Sequence, residues 1–310
     1  MNSRIIKIAT RSSPLALYQA QQVKAALENN GAQCEVVPVE TTGDINLTEP
    51  IYAIGITGIF TKQLDASLLA NHTDIAVHSL KDVPVELAQN LTLGATLERG
   101  PVEDVLVVKN KTLPEAAKIA SSSLRRKAQW LARHPSHEVV PVRGNVQTRL
   151  RKLAKDPTLH GMIFAKAGLE RLGLLSENCL TLNWMLPAAA QGAIGISCRT
   201  DDAEALELCK KINHQNTFIE SSIERNFLKQ LMGGCSVPIG ALAKVQGDKI
   251  IFKASMHSYD GTQKFLLNEI FDARNWQQIG AVAAEKLLQQ NGAVELIKII
   301  RNSGFKSEGI

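Results

Sequence analysis

The sequence predicts two α/β lobes flanking a cleft, followed by a small α+β unit. Three observations carry that expectation. Strand-like apolar runs alternate with amphipathic helical stretches up to about Cys198, the pattern of parallel α/β sheets. Groups suited to anions recur where strands give way to helices or loops. From about Asn213 the character changes to a long helix, alternating strands and a closing helix. The 310 residues suffice for two or three units at roughly 150 residues each. The expected bounds are 1–98 with 192–212 for the first lobe, 99–191 for the second, and 213–310 for the last unit.

Each element has a local reason. Arg4–Thr10 reads as a strand. Ser13-Pro14 then marks a helix start, because serine caps free N–H groups and proline has no N–H to lose. That helix carries Ala16, Ala20, Val23 and Leu27 on one face and stops at Asn30-Gly31. Cys34–Val39 is a second strand. Thr41–Gly58 has no clear period and reads as a long, lid-like loop. Phe60, Leu64 and Leu68 give a helix, and Asp74–Val77 a short strand ending in His78-Ser79-Leu80-Lys81-Asp82-Val83-Pro84.

After Arg99-Gly100-Pro101, Val105–Val108 and Lys118–Ala120 are strands, and Ser121-Ser122-Ser123 opens a helix to about Arg133. Glu138–Val142 is a strand, Gly144-Asn145 opens a helix to about Ala154, and Met162–Ala165 is again strand-like. Ile194–Cys198 is a strand placed to return to the first sheet. A helix over Thr217–Leu231 follows, then strands at Ala241–Val245, Lys249–His257 and Lys264–Ile270 joined by Gly247-Asp248 and Asp260-Gly261 turns. Trp276–Gln290 is the closing helix.

Composition removes several classes. A hydrophobic fraction of 45% and a charged fraction of 21% exclude wholesale disorder. No run of about 18 apolar residues could span a bilayer, and the strand-like start lacks a signal-peptide core. The cysteines Cys34, Cys179, Cys198, Cys209 and Cys235 contain no C-x-x-C pair, which predicts reduced thiols and a cytoplasmic setting. Cys198 and Cys209 read as small buried hydrophobes. No metal is expected, since His134-x-x-His137 lacks a nearby cysteine. The P-loop and G-x-G-x-x-G patterns are missing, so phosphate-loop and dinucleotide readings are unsupported.

The net charge of +5 is locally concentrated. Between Ser121 and Lys152 lie Arg125, Arg126, Lys127, Arg133, Arg143, Arg149, Arg151 and Lys152, opposed only by Glu138. Arginine's planar fork suits bidentate carboxylate recognition, although a solvated surface explains a charge run equally well. Four junctions combine caps with cations: Arg11-Ser12-Ser13, Ser79-Leu80-Lys81-Asp82, Ser121–Arg126, and Arg143-Gly144-Asn145 with Arg149. A serine before a helix needs no function beyond capping, but capping does not call for an adjacent guanidinium. Ligands of open α/β sheets bind at the carboxyl ends of strands, so the four together describe a cleft for a polycarboxylate. Asp82 is the lone acid there, either a counter-ion or an ionised carboxylate that stabilises a cation or shuttles a proton. Cys235, between Gly233-Gly234 and Ser236-Val237-Pro238, reads as an exposed thiol able to form a covalent bond.

These stretches resemble the porphobilinogen deaminase (hydroxymethylbilane synthase) family. The matching runs are Ala9–Ala16, His78–Pro84, Ser122–Arg126, Arg143–Leu150, Ala167-Gly168-Leu169, Leu186-Pro187, Gln191-Gly192-Ala193 and Gly233–Gly240, in the family's order over most of the chain. The resemblance implies two lobes like periplasmic binding proteins, a monomer, and one dipyrromethane cofactor held by a thioether to Cys235. It implies a transferase of tetrapyrrole biosynthesis that deaminates porphobilinogen and releases 1-hydroxymethylbilane. Asp82 would be catalytic. Lys81, Ser79, Ser123, Arg125, Arg126, Gly144 and Asn145 would hold the cofactor, and Arg11, Ser13, Arg143, Arg149, Arg171, Phe60 and Gln191 the substrate. No nucleic acid or membrane partner is implied.

Two departures stand out. The family's lid commonly reads Gly-Gly-Lys-Gly-Leu-Phe, whereas here it is Gly55-Ile56-Thr57-Gly58-Ile59-Phe60, without the lysine. In Glu98-Arg99-Gly100-Pro101-Val102-Glu103-Asp104 the usual basic residue before the last aspartate is missing. Two other classes account for parts of the sequence: a two-lobed carboxylate sensor without chemistry, which leaves Cys235 idle, and a nucleic-acid binder using the basic segment.

Overall fold

The computed structural model describes residues 4–40, 61–110, 112–231 and 237–304. Among these, three sheets organise the chain. The first has the order β2-β1-β3-β10-β4, built from β1 (Ile5–Arg11), β2 (Gln33–Val39), β3 (Ile75–Ser79), β4 (Leu91–Thr96) and β10 (Ile194–Arg199). Strand β1 shows why both faces are covered. Ile6 and Ile8 point to the side packed by helices α1 (Pro14–Glu28) and α6 (Ala203–Ile212), while Ala9 faces α2 (Lys62–Leu69).

The second sheet has the order β7-β6-β8-β5-β9, from β5 (Asp104–Val108), β6 (Lys118–Ala120), β7 (Glu138–Val140), β8 (Gly161–Ala165) and β9 (Cys179–Thr181). Helix α3 (Leu124–Arg133) covers one face through Trp130; α4 (Val146–Lys155) and α5 (Lys166–Arg171) cover the other through Leu153 and Leu169. The third sheet is antiparallel, β11 (Ile239–Gln246), β12 (Lys249–His257) and β13 (Lys264–Asp272). One of its faces is buried under α7 (Gln215–Leu231), α8 (Trp276–Leu288) and α9 (Ala293–Gly304) around Phe227 and Phe252.

The expected order of elements is present, and β10 does return to the first sheet. The expected parallel sheets are present in part, with β1–β2, β1–β3, β6–β7 and β6–β8 parallel. Strand β10 runs antiparallel to β3 and β4, and β5 runs antiparallel to β8 and β9. Strand direction depends on how the chain crosses between sheets, which local periodicity does not encode. Strand β4 escaped the pattern because Gly94 interrupts its apolar run. A Cβ there would sit 2.9 Å from the Cys209 sulfur, so the close packing of α6 on the sheet requires glycine. Cys198 and Cys209 are buried as expected. Among the described residues no helix is long and apolar enough to cross a membrane.

Candidate active site

The strand directions gather the charged groups. Parallel strands β1 and β3 end at Arg11 and Ser79; β6 and β7 end just before Ser121 and Pro141. The antiparallel strands begin at those same edges: Ile194 of β10 lies opposite Ser79, and Asp104 of β5 lies opposite Ala165. The two segments that cross between sheets therefore deliver Gln191 and Asp104 to the carboxyl ends of the parallel strands. These crossings pass backbone against backbone at Gly192 (φ +87°), where a Cβ would lie 2.6 Å from the Gly100 carbonyl oxygen.

An inner network ties the lobes together. Asp104 is fully buried and ion-paired at 2.7 Å with both Arg125 and Arg126. Arg126 also donates to the Ile163 carbonyl, and Arg125 to the Leu186 carbonyl. Gln191, likewise buried, donates through Nε2 to Asp104 (2.9 Å) and to the Val102 carbonyl (2.8 Å), while Oε1 accepts from Lys81 Nζ at 3.3 Å. Burial alone would raise the Asp104 pKa, but the two guanidiniums outweigh it and hold the carboxyl well below its usual range. Burial, with Arg126 close by, pulls Lys81 from 10.5 down to about 8. A folded-state value below the unfolded one means the folded protein binds the proton less well. Lys81 therefore adds stability as pH rises through that window, not as it falls.

Arg125 and Arg126, expected as cofactor ligands, are thus substantially committed to an internal carboxylate, and both are buried. Asp104, which closes the Glu98–Asp104 stretch, is not among the expected site residues. It stands at the head of an apolar strand, where a carboxylate is out of pattern.

An outer group faces the cleft itself. Burial and the neighbouring charges of Arg126 and Arg143 pull the Arg149 pKa down to about 10, with Asp82 acting in the opposite sense. Among the described residues Arg149 forms no ion pair, and its Nε is buried without a hydrogen-bond partner. Arg143 has its pKa lowered by burial and then by Arg11 of the first lobe. Charges from the first lobe, Arg11 on Arg143 and Asp82 on Arg149, thus act on this group of the second.

The hydroxyl and amide residues act first as caps. Ser13 Oγ accepts from the Ala16 N–H, Ser123 Oγ from the Arg126 N–H, and Asn145 Oδ1 from the Thr148 N–H at 2.9 Å. A capping hydroxyl still has its own O–H to donate, so Ser13 and Ser123 can also bind an acid. Ser79 is hydrogen-bonded to Gln19. Gly144 (φ +113°) turns the chain into α4, with its missing Cβ filled by Thr148. Arg171 sits apart from the outer group: it donates to the Gly192 carbonyl at 2.6 Å and braces the crossing segments.

Asp82 is exposed at the end of the 3-10 turn Leu80–Asp82 that follows β3. Arg225 of α7 fixes this turn by donating to the Val83 carbonyl at 2.9 Å and to that of Pro84 at 2.7 Å. A second tie from α7 is the buried pair Arg99–Glu224 at 2.8 Å, with Glu224 also accepting from the Ala190 and Ala243 N–H groups. The C-terminal unit thereby positions both the Asp82 turn and the crossing segment. Cys235, Phe60 and the lid-like stretch 41–58 lie outside the described residues. The donors present suit a ligand bearing several carboxylates, as a dipyrromethane does: Arg149 has a buried, unsatisfied N–H, and cations from both lobes converge on the cleft.

Residues 6–207 match the family model described as porphobilinogen deaminase, dipyromethane cofactor binding domain, and residues 218–289 match porphobilinogen deaminase, C-terminal domain. The chain is 41% identical over 301 residues to the porphobilinogen deaminase of Syntrophomonas wolfei, covering 94% of this chain and 98% of that one. It is 40% identical over 303 residues to that of Campylobacter hominis, covering 94% and 97%. Among solved structures it is similar to the methionine binding protein MetQ, with a TM-score of 0.44 and 11% identity over 69% of this chain and 91% of that one.

Proposed function

Since this chain belongs to the porphobilinogen deaminase family, we propose that Asp82 and the cations around it form the site where porphobilinogen is deaminated and coupled. The protein is a transferase of tetrapyrrole biosynthesis, a hydroxymethylbilane synthase. It deaminates four porphobilinogen molecules with loss of ammonia and joins them head to tail on a dipyrromethane primer, and water then cleaves the chain from the primer as 1-hydroxymethylbilane. The bound dipyrromethane supplies a tethered, electron-rich pyrrole carbon to which the first substrate is joined.

The residues account for the rest. Arg149, Arg143 and Arg11 take the acetate and propionate groups of substrate, each a charge-assisted contact across the cleft. As the substrate's C–N bond breaks, ammonia leaves with the bonding pair and positive charge develops on the methylene carbon and ring. Asp82, exposed to the cleft and pinned through Arg225, stabilises that charge as an ionised carboxylate. Once the new carbon–carbon bond has formed, the same carboxylate accepts the proton displaced from the attacked ring carbon. Cys235 is the attachment point in this reading, and Lys81, Ser123, Asn145 and Gly144 line the primer's side of the cleft. Residues 1–98 with 192–212, 99–191 and 213–310 are the proposed units, and the free thiols support a reducing cytoplasm.

The observation that supports this reading is Asp82, exposed on a turn held by Arg225 beside Lys81, in a chain whose residues 6–207 match the dipyromethane cofactor binding domain. Intact-mass measurement tests it. The purified chain should carry two extra pyrrole units, lost in Cys235→Ser, and brief exposure to porphobilinogen should add a ladder of further units. A chain that stays at its sequence mass throughout refutes the assignment.

A further inference from the structure

Two thiols meet inside the first lobe. Cys198 of β10 and Cys209 of α6 are both fully buried. A Cβ on Gly94 of β4 would lie 3.1 Å from the Cys198 sulfur and 2.9 Å from the Cys209 sulfur, so both sulfurs crowd over the same point of the sheet. Gly94 is the extra residue of a bulge: Leu93 pairs with Ser197 and Ala95 with Ile196, which leaves Gly94 opposite neither. A bare backbone at the bulge lets the helix thiol come down beside the strand thiol.

The pair is chemically asymmetric. A hydrogen bond between the two thiols pulls the Cys198 pKa down against the effect of burial. The same bond, together with burial, pushes Cys209 well up. Cys198 is therefore the readier nucleophile, and Cys209 keeps its proton. Access comes through the helix. The buried side chains of α6 are Ala205 and Cys209, both small, while Glu204, Glu207, Lys210 and Lys211 are exposed. Lifting the C-terminal half of α6 uncovers little apolar surface, so a small oxidant reaches the pair by local opening.

We propose that Cys198 and Cys209 are a redox-modification site, which hydrogen peroxide converts into a reversible disulfide that clips α6 to β10. The Cys198 thiolate attacks one peroxide oxygen, the O–O bond breaks, and the other oxygen leaves as water with the proton shed by the thiol, giving a sulfenic acid. The Cys209 sulfur then attacks the Cys198 sulfur. The S–O bond breaks, and its oxygen leaves as a second water with the Cys209 proton. The two thiols have lost two electrons, and the peroxide has gained them. Sulfurs already in contact need only close to about 2.05 Å. In a reducing cytoplasm the pair rests as thiols and returns to them by exchange with a small thiol. The cleft residues take no part.

The holoenzyme treated with hydrogen peroxide and digested with trypsin without reductant should show the peptide ending at Arg199 joined to the one ending at Lys210. Two hydrogens should be lost, and dithiothreitol should restore them. The oxidised protein should unfold about 3 °C or more above the reduced one, because the bond closes a short loop in the unfolded chain. In Cys209→Ala, Cys198 should stop at the sulfenic acid and be trapped by dimedone, with turnover before oxidation unchanged. Oxidation confined to the partly buried Cys34 and Cys179, with Cys198 and Cys209 still alkylated as thiols after denaturation, overturns the proposal. Joined peptides without a rise in the unfolding midpoint overturn the clip. Sulfenic acid on Cys209 in Cys198→Ala, but none on Cys198 in Cys209→Ala, overturns the order of attack.

Discussion

Arg126 lies close enough to help lower the Arg149 pKa, yet the two serve opposite ends. Arg126 is closed off: two of its nitrogens bond Asp104 and a third bonds a carbonyl of β8. Among the described residues Arg149 forms no ion pair, and its buried Nε has no acceptor. The difference teaches that a basic segment is divided by its counter-ions. Guanidiniums that meet a protein carboxylate become structure, and those that do not become the binding surface for an acidic ligand.

The first way to break the comparison is to remove the internal acid. Asp104→Ala strands Arg125 and Arg126 as buried charges without a partner, and denaturant unfolding should show a loss of about 3–5 kcal/mol. A loss below about 1 kcal/mol would mean the pair is hydrated and the inner network is not structural. The next substitution acts on chemistry and not on packing. Asp82→Asn keeps an exposed side chain of the same shape, so the unfolding midpoint should hold while turnover of porphobilinogen falls about 100-fold or more. Near-normal turnover would leave Asp82 as a mere counter-ion. The smallest effect separates the two arginines most sharply. Arg149→Ala deletes a cation that forms no ion pair among the described residues, so stability should be unchanged or slightly raised while KM for porphobilinogen rises about tenfold. A large loss of stability in that variant would place Arg149 with Arg126 on the structural side.

Much of the site was legible as local chemistry. The Ser13, Ser123 and Asn145 caps, the left-handed turn at Gly144 and the helix starts behind them follow from residue type within a few positions. So does the antiparallel C-terminal sheet, announced by Gly247-Asp248 and Asp260-Gly261. Asp104 was not legible, because its role depends on β5 running backwards beside β8. Nor was Arg225, an unremarkable helix residue until α7 is seen gripping the Asp82 turn. Nor was the brace Arg171 provides: its partner, the Gly192 carbonyl, is reached only through the crossing of the two lobes.

What the sequence determined by itself is the inventory: which junctions carry cations, where the helices begin, which thiol stands apart and which acid sits among bases. These depend on short-range sterics and hydrogen bonding, which a few residues specify. Only the tertiary structure decided which cations are neutralised from within and which face the cleft. Charge interactions weaken over a few ångströms, and the Asp104–Arg126 ion pair, like the approach of Asp82 to the unpaired Arg149, arises only when strand direction and lobe packing bring distant residues together.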